Sequence, residues 1–365
     1  MNSSPNRIFQ RSVLARHSAL ASFCILLAST ACDRQNPSTR TEAQTIATAG
    51  PALEYVRSFD VEETDDVVNV TPNVRNDPRG GFLVADPSEA QIRRYSPDGK
   101  LLWFAGRQGQ GPGEFTGVTS IVRVAAGGIV AADRNGRLTF FDADARRVTR
   151  TVETKLQRVE DLEVLDDSTL LMSGVDKTGH AGPRLHVWSI PRNAVERRFF
   201  SPFLGQTSRM AATAAGFVTA ALRGDTIAAT FGSSDTIYFF TRDGRDAGRI
   251  PFASQHFRHA PTARGSRPIT NPRERAEWVS KFDIVAGVHW LSDGTLLVMY
   301  QSIVTEQALG RRWHLLGLDR SGARRFEFHN VSPQVLGADP SGRTVLLVPP
   351  DAEAPNRWAV ARLPQ

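Results

Sequence analysis

An internal repeat constrains the fold of this 365-residue chain more than any other feature. The segment Gly80 to Asp86 (GGFLVAD) returns as Gly127 to Asp133 (GGIVAAD), 47 positions later. Four related strand openings, each a threonine followed by three apolar residues, begin at Thr169, Thr226, Thr295 and Thr344. A unit of this length cannot bury its own apolar face, so neighbouring units must stack on one another.

Each unit has the pattern of a small antiparallel sheet. Asp98-Gly99 and Asp243-Gly244 are dipeptides that supply the positive φ angles of tight hairpins. The pattern predicts a buried strand, a second strand, a hairpin and an outer strand, giving three or four strands per unit. Counting the buried strands predicts an all-β, six-bladed β-propeller; these strands start at Phe82, Ile129, Leu170, Ile227, Leu296 and Val345.

The two ends of the repeat region complement each other. The last unit ends with a strand at Trp358 to Leu363 and has no outer strand, whereas Leu53 to Val61 is a strand without a unit of its own. Pairing the two would cover an otherwise exposed sheet edge. We therefore predict a ring closed by the N-terminal strand and the last blade.

The glycine-rich loop Gly106 to Phe115 (GRQGQGPGEF) and the segment Gly127 to Asp142 resemble the NHL repeat and the six-bladed propellers found among bacterial lipoproteins. The resemblance implies that this loop joins the outer strand of one blade to the inner strand of the next, with Phe115 packed on the sheet. It also implies that Asp86 and Asp133 cap turns. A phosphate-binding loop is disfavoured, because the loop has no lysine and a strand follows it.

Residues 1–31 have the order of a signal peptide: a basic region with Arg7, Arg11 and Arg16, a short apolar run, and small residues. Cys32 follows directly and resembles the lipobox of bacterial lipoproteins. This implies lipidation of Cys32 and an anchored protein in the cell envelope that faces the periplasm or the exterior; a secreted protein is the alternative. Residues 32–50 are polar and predict a flexible tether, and 51–365 form the propeller domain.

Charge and cysteine content exclude several classes of protein. The net charge of +6 falls to +3 without the predicted leader, so a general nucleic-acid surface is not expected. Only Cys24 and Cys32 are present and Cys24 lies in the leader, which leaves no cysteine pair for a disulfide or a zinc site. No cofactor motif is present, and no cofactor is predicted.

A basic insertion near 253–289 interrupts the repeat. Between Gln255 and Lys281 it has six basic and two acidic residues, and Asn271-Pro272 with Glu274 predicts a helix start. Long insertions on a rigid scaffold commonly bind partners. We hypothesise contacts to an anionic ligand, glycan or protein; the candidate residues are Arg258, His259, Arg264, Arg267 and Arg273. A solvated loop that covers one end of the channel is the open alternative.

The repeat specifies a fold and leaves the activity open. The leading hypothesis is a binding or scaffold module rather than an enzyme, with no catalytic residue and no metal ligand assigned. The alternative is a metal-dependent hydrolase or lyase, lactonase-like, with converging carboxylate and histidine ligands in the central channel. Its candidate carboxylates lie mostly in turn contexts; they are Asp161, Asp166, Asp225 and Asp293. His256 and His259 are the only histidines that lie close to each other in the sequence.

Overall fold

The structure is a computed structural model that describes residues 53–69, 72–177, 179, 181–203, 216–252, 254, 256–260, 271–304, 310–339, 341–350 and 356–365. The predicted leader and the whole predicted tether, including Cys32, lie outside these residues, as do Arg264 and Arg267.

The described chain forms 24 strands in six four-stranded antiparallel sheets, which we number as blades 1 to 6. Blade 1 contains β2 (Asn73–Asn76), β3 (Phe82–Asp86), β4 (Gln91–Tyr95) and β5 (Leu101–Ala105). Blade 2 contains β6 (Val118–Arg123), β7 (Ile129–Asp133), β8 (Arg137–Phe141) and β9 (Val148–Glu153). Blade 3 contains β10 (Arg158–Asp166), β11 (Thr169–Val175), β12 (Leu185–Ser189) and β13 (Ala194–Phe199).

Blade 4 contains β14 (Val218–Arg223), β15 (Thr226–Phe231), β16 (Thr236–Thr241) and β17 (Asp246–Pro251). Blade 5 contains β18 (Ile284–Trp290), β19 (Leu296–Val304), β20 (Gly310–Leu318) and β21 (Arg324–Ser332). Blade 6 contains β22 (Gln334–Asp339), β23 (Thr344–Val348), β24 (Arg357–Arg362) and the N-terminal strand β1 (Glu54–Asp60). One helix, α1 (Pro272–Val279), precedes blade 5.

The six blades confirm the predicted propeller, but the strands counted in the sequence are the second strands of their blades. A further strand precedes each of them and lies nearest the ring axis, where the innermost strands of neighbouring blades contact one another. These innermost strands carry polar residues; β2, for example, is NVRN. In β2 and β10 polar residues interrupt the apolar run, whereas β18 (IVAGVHW) is largely apolar.

The predicted ring closure is confirmed. Strand β1 pairs antiparallel with β24, with Glu54 opposite Arg362 and Asp60 opposite Arg357. The side chain of Trp358 is fully buried beneath this pair. Its ring packs edge-on against three aromatic rings, with centroids 6.0 to 6.5 Å away; these belong to Phe59, Phe82 and Tyr95. Blade 6 is thereby joined to blade 1.

The glycine-rich loop has the predicted role, since it connects β5 of blade 1 to β6 of blade 2. Phe115 at its end is fully buried. Gly106 has a φ of 98°, and a Cβ there would lie 2.7 Å from the Phe115 ring, so glycine is required. Asp133 accepts hydrogen bonds from the amides of Thr116 (2.8 Å) and Gly117 (3.1 Å), which confirms the turn-capping role.

Apolar side chains fill the space between adjacent blades. Between blades 4 and 5, for example, Phe239, Val285 and Leu316 belong to one buried cluster. No helix in the described ranges is long and apolar enough to span a membrane.

Candidate functional site

A charged cluster lies in the central channel, on the innermost strands of three blades. Arg75 of β2 in blade 1 forms ion pairs with Asp161 and Glu163 of β10 in blade 3, at 2.6 Å from Nη2 to Oδ1 and 2.8 Å from Nη1 to Oε2. Ser120 of β6 in blade 2 donates a hydrogen bond to Asp161 Oδ1 at 2.8 Å. Because Arg75 passes blade 2 to reach blade 3, its guanidinium must cross part of the channel. We call these residues the channel cluster.

The cluster is held electrostatically but keeps contact with solvent. The side chains of Arg75, Asp161 and Glu163 are 23%, 25% and 34% exposed. Burial alone would lower the pKa of Arg75, but the two carboxylates outweigh this effect and raise it. Burial raises the pKa of Glu163, and the charge of Arg75 opposes that rise. With one guanidinium and two carboxylates, the ionised cluster has a net charge of −1.

His289 on β18 brings a titratable group from blade 5 to this region. Burial lowers the pKa of His289 to about 4; the charge of Arg75 lowers it further, and Asp161 opposes the shift. The imidazole is therefore neutral at neutral pH, so one ring nitrogen can donate a hydrogen bond and the other can accept one.

The basic insertion lies between β17 and β18, and its described part spans 252, 254, 256–260 and 271–283. The predicted helix start is confirmed, because Asn271 caps α1 and its side chain accepts a hydrogen bond from the Arg273 amide at 2.9 Å. Ile284–Trp290 forms β18, so the insertion ends earlier than the sequence suggested. The sequence of β18 is IVAGVHW, which is largely apolar, so a strand could have been predicted there from the sequence.

The three described candidate residues of the insertion all have acidic partners. Arg258 donates to Asp283 Oδ1 from Nε at 2.9 Å and from Nη2 at 2.7 Å, and the side chain of Asp283 is only 1% exposed. His259 Nδ1 lies 2.8 Å from Asp235 Oδ2. Arg273 pairs with Glu277 one turn along α1, at 3.3 Å, and both are well exposed. Recognition of an anionic partner at the insertion stays a prediction, and Arg258 also has a structural role in it.

Sequence reasoning missed most of the channel cluster. Asp166, Asp225 and Asp293 occupy turns or strand ends as expected, but Asp161 lies inside β10. A usable signal was the alternation of Asp161 and Glu163, which places both carboxylates on one face of a strand. Arg75 gave no comparable signal, since its partners are 86 and 88 residues away.

The carboxylates of the channel cluster converge on a guanidinium, which lies between them where a metal ion would compete for the same oxygens. In the described part of the chain, no group of three or more His, Cys, Asp and Glu side chains is placed to hold a metal ion. The metal-dependent alternative stays a prediction.

Comparison with known proteins supports the fold. No protein-family model matches the chain, and no curated protein matches it in sequence. The chain is similar to the crystal structure of a Bacteroides fragilis protein predicted to be exported. The match has a TM-score of 0.53 at 13% sequence identity, and it covers 80% of this chain and 83% of the other. At this identity the likeness concerns the fold alone.

Proposed function

We propose that this protein is a membrane-anchored, extracytoplasmic β-propeller of the lipoprotein type that binds a polar ligand in its central channel. The observation that carries the proposal is the channel cluster, in which charges from blades 1 and 3 meet and remain partly exposed. Partly exposed charged groups in a concave site are the usual means of orienting a ligand. The rigid ring would hold them in place before the ligand arrives.

The unused hydrogen-bonding capacity of the cluster indicates what the ligand offers. Asp161 uses Oδ1 and Glu163 uses Oε2 for the bonds described, and their second oxygens have no partner among the described residues. Carboxylate oxygens accept hydrogen bonds, so the ligand would donate through hydroxyl or amine groups. The net charge of −1 favours a neutral or cationic ligand over an anion.

Arg75→Met is expected to abolish binding of a neutral ligand, because it removes the group that orients both carboxylates. The measurement is the melting temperature of residues 51–365 with glucose, spermidine or inorganic phosphate as probes. For the unmodified domain, a probe at 100 times its dissociation constant adds roughly 2.7 kcal/mol of stability. We expect such a rise with glucose or spermidine. In Arg75→Met the rise with glucose should be lost, whereas a rise with spermidine should remain, because the two carboxylates keep their negative charge.

Arg245→Met is the matched control, since it removes an exposed arginine from the β16–β17 hairpin and leaves the channel intact. Its response to the probes should equal that of the unmodified domain. A response to phosphate alone, or the same response to glucose in Arg75→Met as in the control, would contradict the proposed channel ligand.

The location in the envelope is supported by the predicted leader, by Cys32 and by the description of the similar Bacteroides fragilis protein as one predicted to be exported. Cys32→Ala is expected to move the protein from the membrane fraction to the soluble fraction, because the acylated residue is lost. Fractionation of cells that express the full chain measures this. Retention of the variant in washed membranes would refute lipidation at Cys32.

A further inference from the structure

A second polar cluster lies in blade 5, beside blade 4 and under the start of the insertion. Strands β19, β20 and β21 contribute Tyr300 and Ser302, His314, and Glu327 and His329. The insertion adds His256, whose ring centroid lies 4.0 Å from that of His329, and Arg258 with Asp283. We call these eight residues the blade 5 cluster. The channel cluster shares no residue with it.

Four members form a continuous chain of polar contacts. Ser302 Oγ lies 2.9 Å from His314 Nε2, and His314 Nδ1 lies 3.2 Å from His329 Nδ1. His329 Nε2 lies 3.5 Å from Glu327 Oε1. If Ser302 donates to His314, each imidazole can donate its proton to the next member, and the chain ends on a carboxylate. This is the order of a serine nucleophile, a general base and an acidic group that orients it, with one histidine added between the last two.

Other contacts hold the side chains of this series of polar contacts in place. The Tyr300 ring stacks on His314 with centroids 4.6 Å apart and planes 14° apart, which limits rotation of the base. Glu327 accepts hydrogen bonds from Tyr300 Oη at 3.1 Å and from Arg324 Nη1 at 2.7 Å. Arg324 occupies Oε2 of Glu327, and Oε1, the oxygen nearest His329, also accepts hydrogen bonds from Tyr300 and Ser254.

The hydroxyl of Ser302 has a choice of two acceptors, because Asp283 Oδ1 lies 2.8 Å away. Asp283 Oδ1 already accepts two hydrogen bonds from the Arg258 side chain, and Oδ2 accepts one from the Arg258 amide, so the Ser302 hydroxyl competes with Arg258 for Oδ1. Burial lowers the pKa of His314 to about 4, with a smaller contribution from His329. At neutral pH His314 is therefore uncharged and, in the tautomer with Nε2 bare, can accept the Ser302 proton.

A substrate would approach Ser302 from solvent. The side chain of Ser302 is partly exposed, and Arg312, which lies directly opposite Ser302 in the β19–β20 pair, is exposed on the same face of the sheet. A cavity of about 400 Å³ at this end of blade 5 is lined by Arg312 and Asn330 among others, but not by Ser302 or His314. Arg312 thus supplies positive charge near the hydroxyl.

We propose that Ser302 is a nucleophile activated by His314 and that the blade 5 cluster hydrolyses small acyl esters without a metal ion. Ser302 Oγ bonds to the carbonyl carbon as its proton moves to His314 Nε2. The bond from that carbon to the alcohol oxygen then breaks, and His314 returns the proton to the departing alcohol. Water hydrolyses the acyl-serine by the same route, which releases the carboxylic acid and restores Ser302.

A fluorophosphonate probe tests the nucleophile directly, since the serine oxygen bonds to phosphorus as fluoride leaves. Incubation of the unmodified domain followed by peptide mapping should find the label on Ser302. His314→Gln should label at least ~100-fold more slowly, because a general base contributes at least about that factor. Ser341→Ala, in an exposed turn of blade 6, should label at the unmodified rate. Mapping that finds no label on Ser302, or an unchanged rate in His314→Gln, overturns the proposal.

Hydrolysis of p-nitrophenyl acetate tests turnover, and its pH dependence tests the role of His329 as a positioning residue. The charged or titratable groups that face the two histidines are His256, Tyr300, Glu327, Arg324, Asp283 and Arg258. The rate should rise with pH as His314 loses its proton. His329→Gln should move the midpoint to higher pH, because His329 lowers the pKa of His314. If His329→Gln hydrolyses the ester more slowly but the midpoint of its pH profile does not move, His329 has only a structural role. If the protein releases no more p-nitrophenol than buffer does, turnover is refuted.

Discussion

Trp358→Ala is expected to destabilise the folded protein by about 3–5 kcal/mol, the usual range for removal of a buried tryptophan. Trp358 is fully buried and contacts rings of both blade 6 and blade 1, so the cavity would open at the point where the ring closes. Urea unfolding followed by circular dichroism measures the loss. We expect a lower midpoint with an unchanged slope.

Leu102→Ala is the matched control for this experiment. Leu102 is 48% exposed on the outer strand of blade 1, and its truncation should change the free energy of unfolding by less than ~0.5 kcal/mol. Similar midpoints for the two variants would mean that the contact between blades 6 and 1 adds little to stability.

Asp77→Asn is expected to destabilise the folded protein by a comparable amount, because it removes a buried negative charge. The carboxylate of Asp77, in the β2–β3 turn, is fully buried and pairs with Arg94 at 2.6 Å and with Arg123 of blade 2 at 2.7 Å. Loss of its charge leaves two largely buried guanidinium groups without a counter-ion, which costs about 3–5 kcal/mol. The exposed pair Arg79–Asp144, at 3.9 Å, offers the control Asp144→Asn, for which less than ~1 kcal/mol is expected.

The stability difference between the unmodified protein and Asp77→Asn should depend on pH. Burial alone would raise the pKa of Asp77, but hydrogen bonds from Arg123, the Arg79 amide and Arg94 outweigh burial and lower the pKa from its ordinary value. A carboxyl with a lowered folded-state pKa stabilises the protein above its unfolded-state pKa of about 3.9, and this contribution is lost as the pH falls through the folded-state value. The difference between the unmodified protein and Asp77→Asn should therefore shrink below pH 4. A difference that stays constant from pH 7 to pH 3 would contradict this origin.

The fold could be predicted from sequence because its second strands are buried on both faces and have continuous apolar runs, as in Phe82–Asp86. The innermost strands β2 and β10 escaped notice because residues such as Arg75 and Asp161 interrupt their apolar pattern. The helix start at Asn271 could be predicted because capping depends only on neighbouring residues.

The two polar clusters could not be predicted, because they depend on distant pairings. Ser302 and His314 are 12 residues apart, and the register of β19 with β20 decides whether they meet. Arg258 lies within the predicted basic surface, yet its side chain turns to Asp283, 25 residues later. Residue type and charge alone do not distinguish a solvent-facing arginine from one that neutralises a buried carboxylate.

The pairing of β1 with β24 has a consequence for how the protein is made. The ion pair between Arg362 and Glu54 joins residues that are 308 positions apart, and the N-terminal partner is synthesised first. During synthesis the hydrogen-bonding edge of β1 therefore stays unpaired until β24 has emerged from the ribosome. Unpaired edges invite aggregation and proteolysis. A chain terminated before residue 357 would keep that edge open, so only chains that include β24 can close the ring.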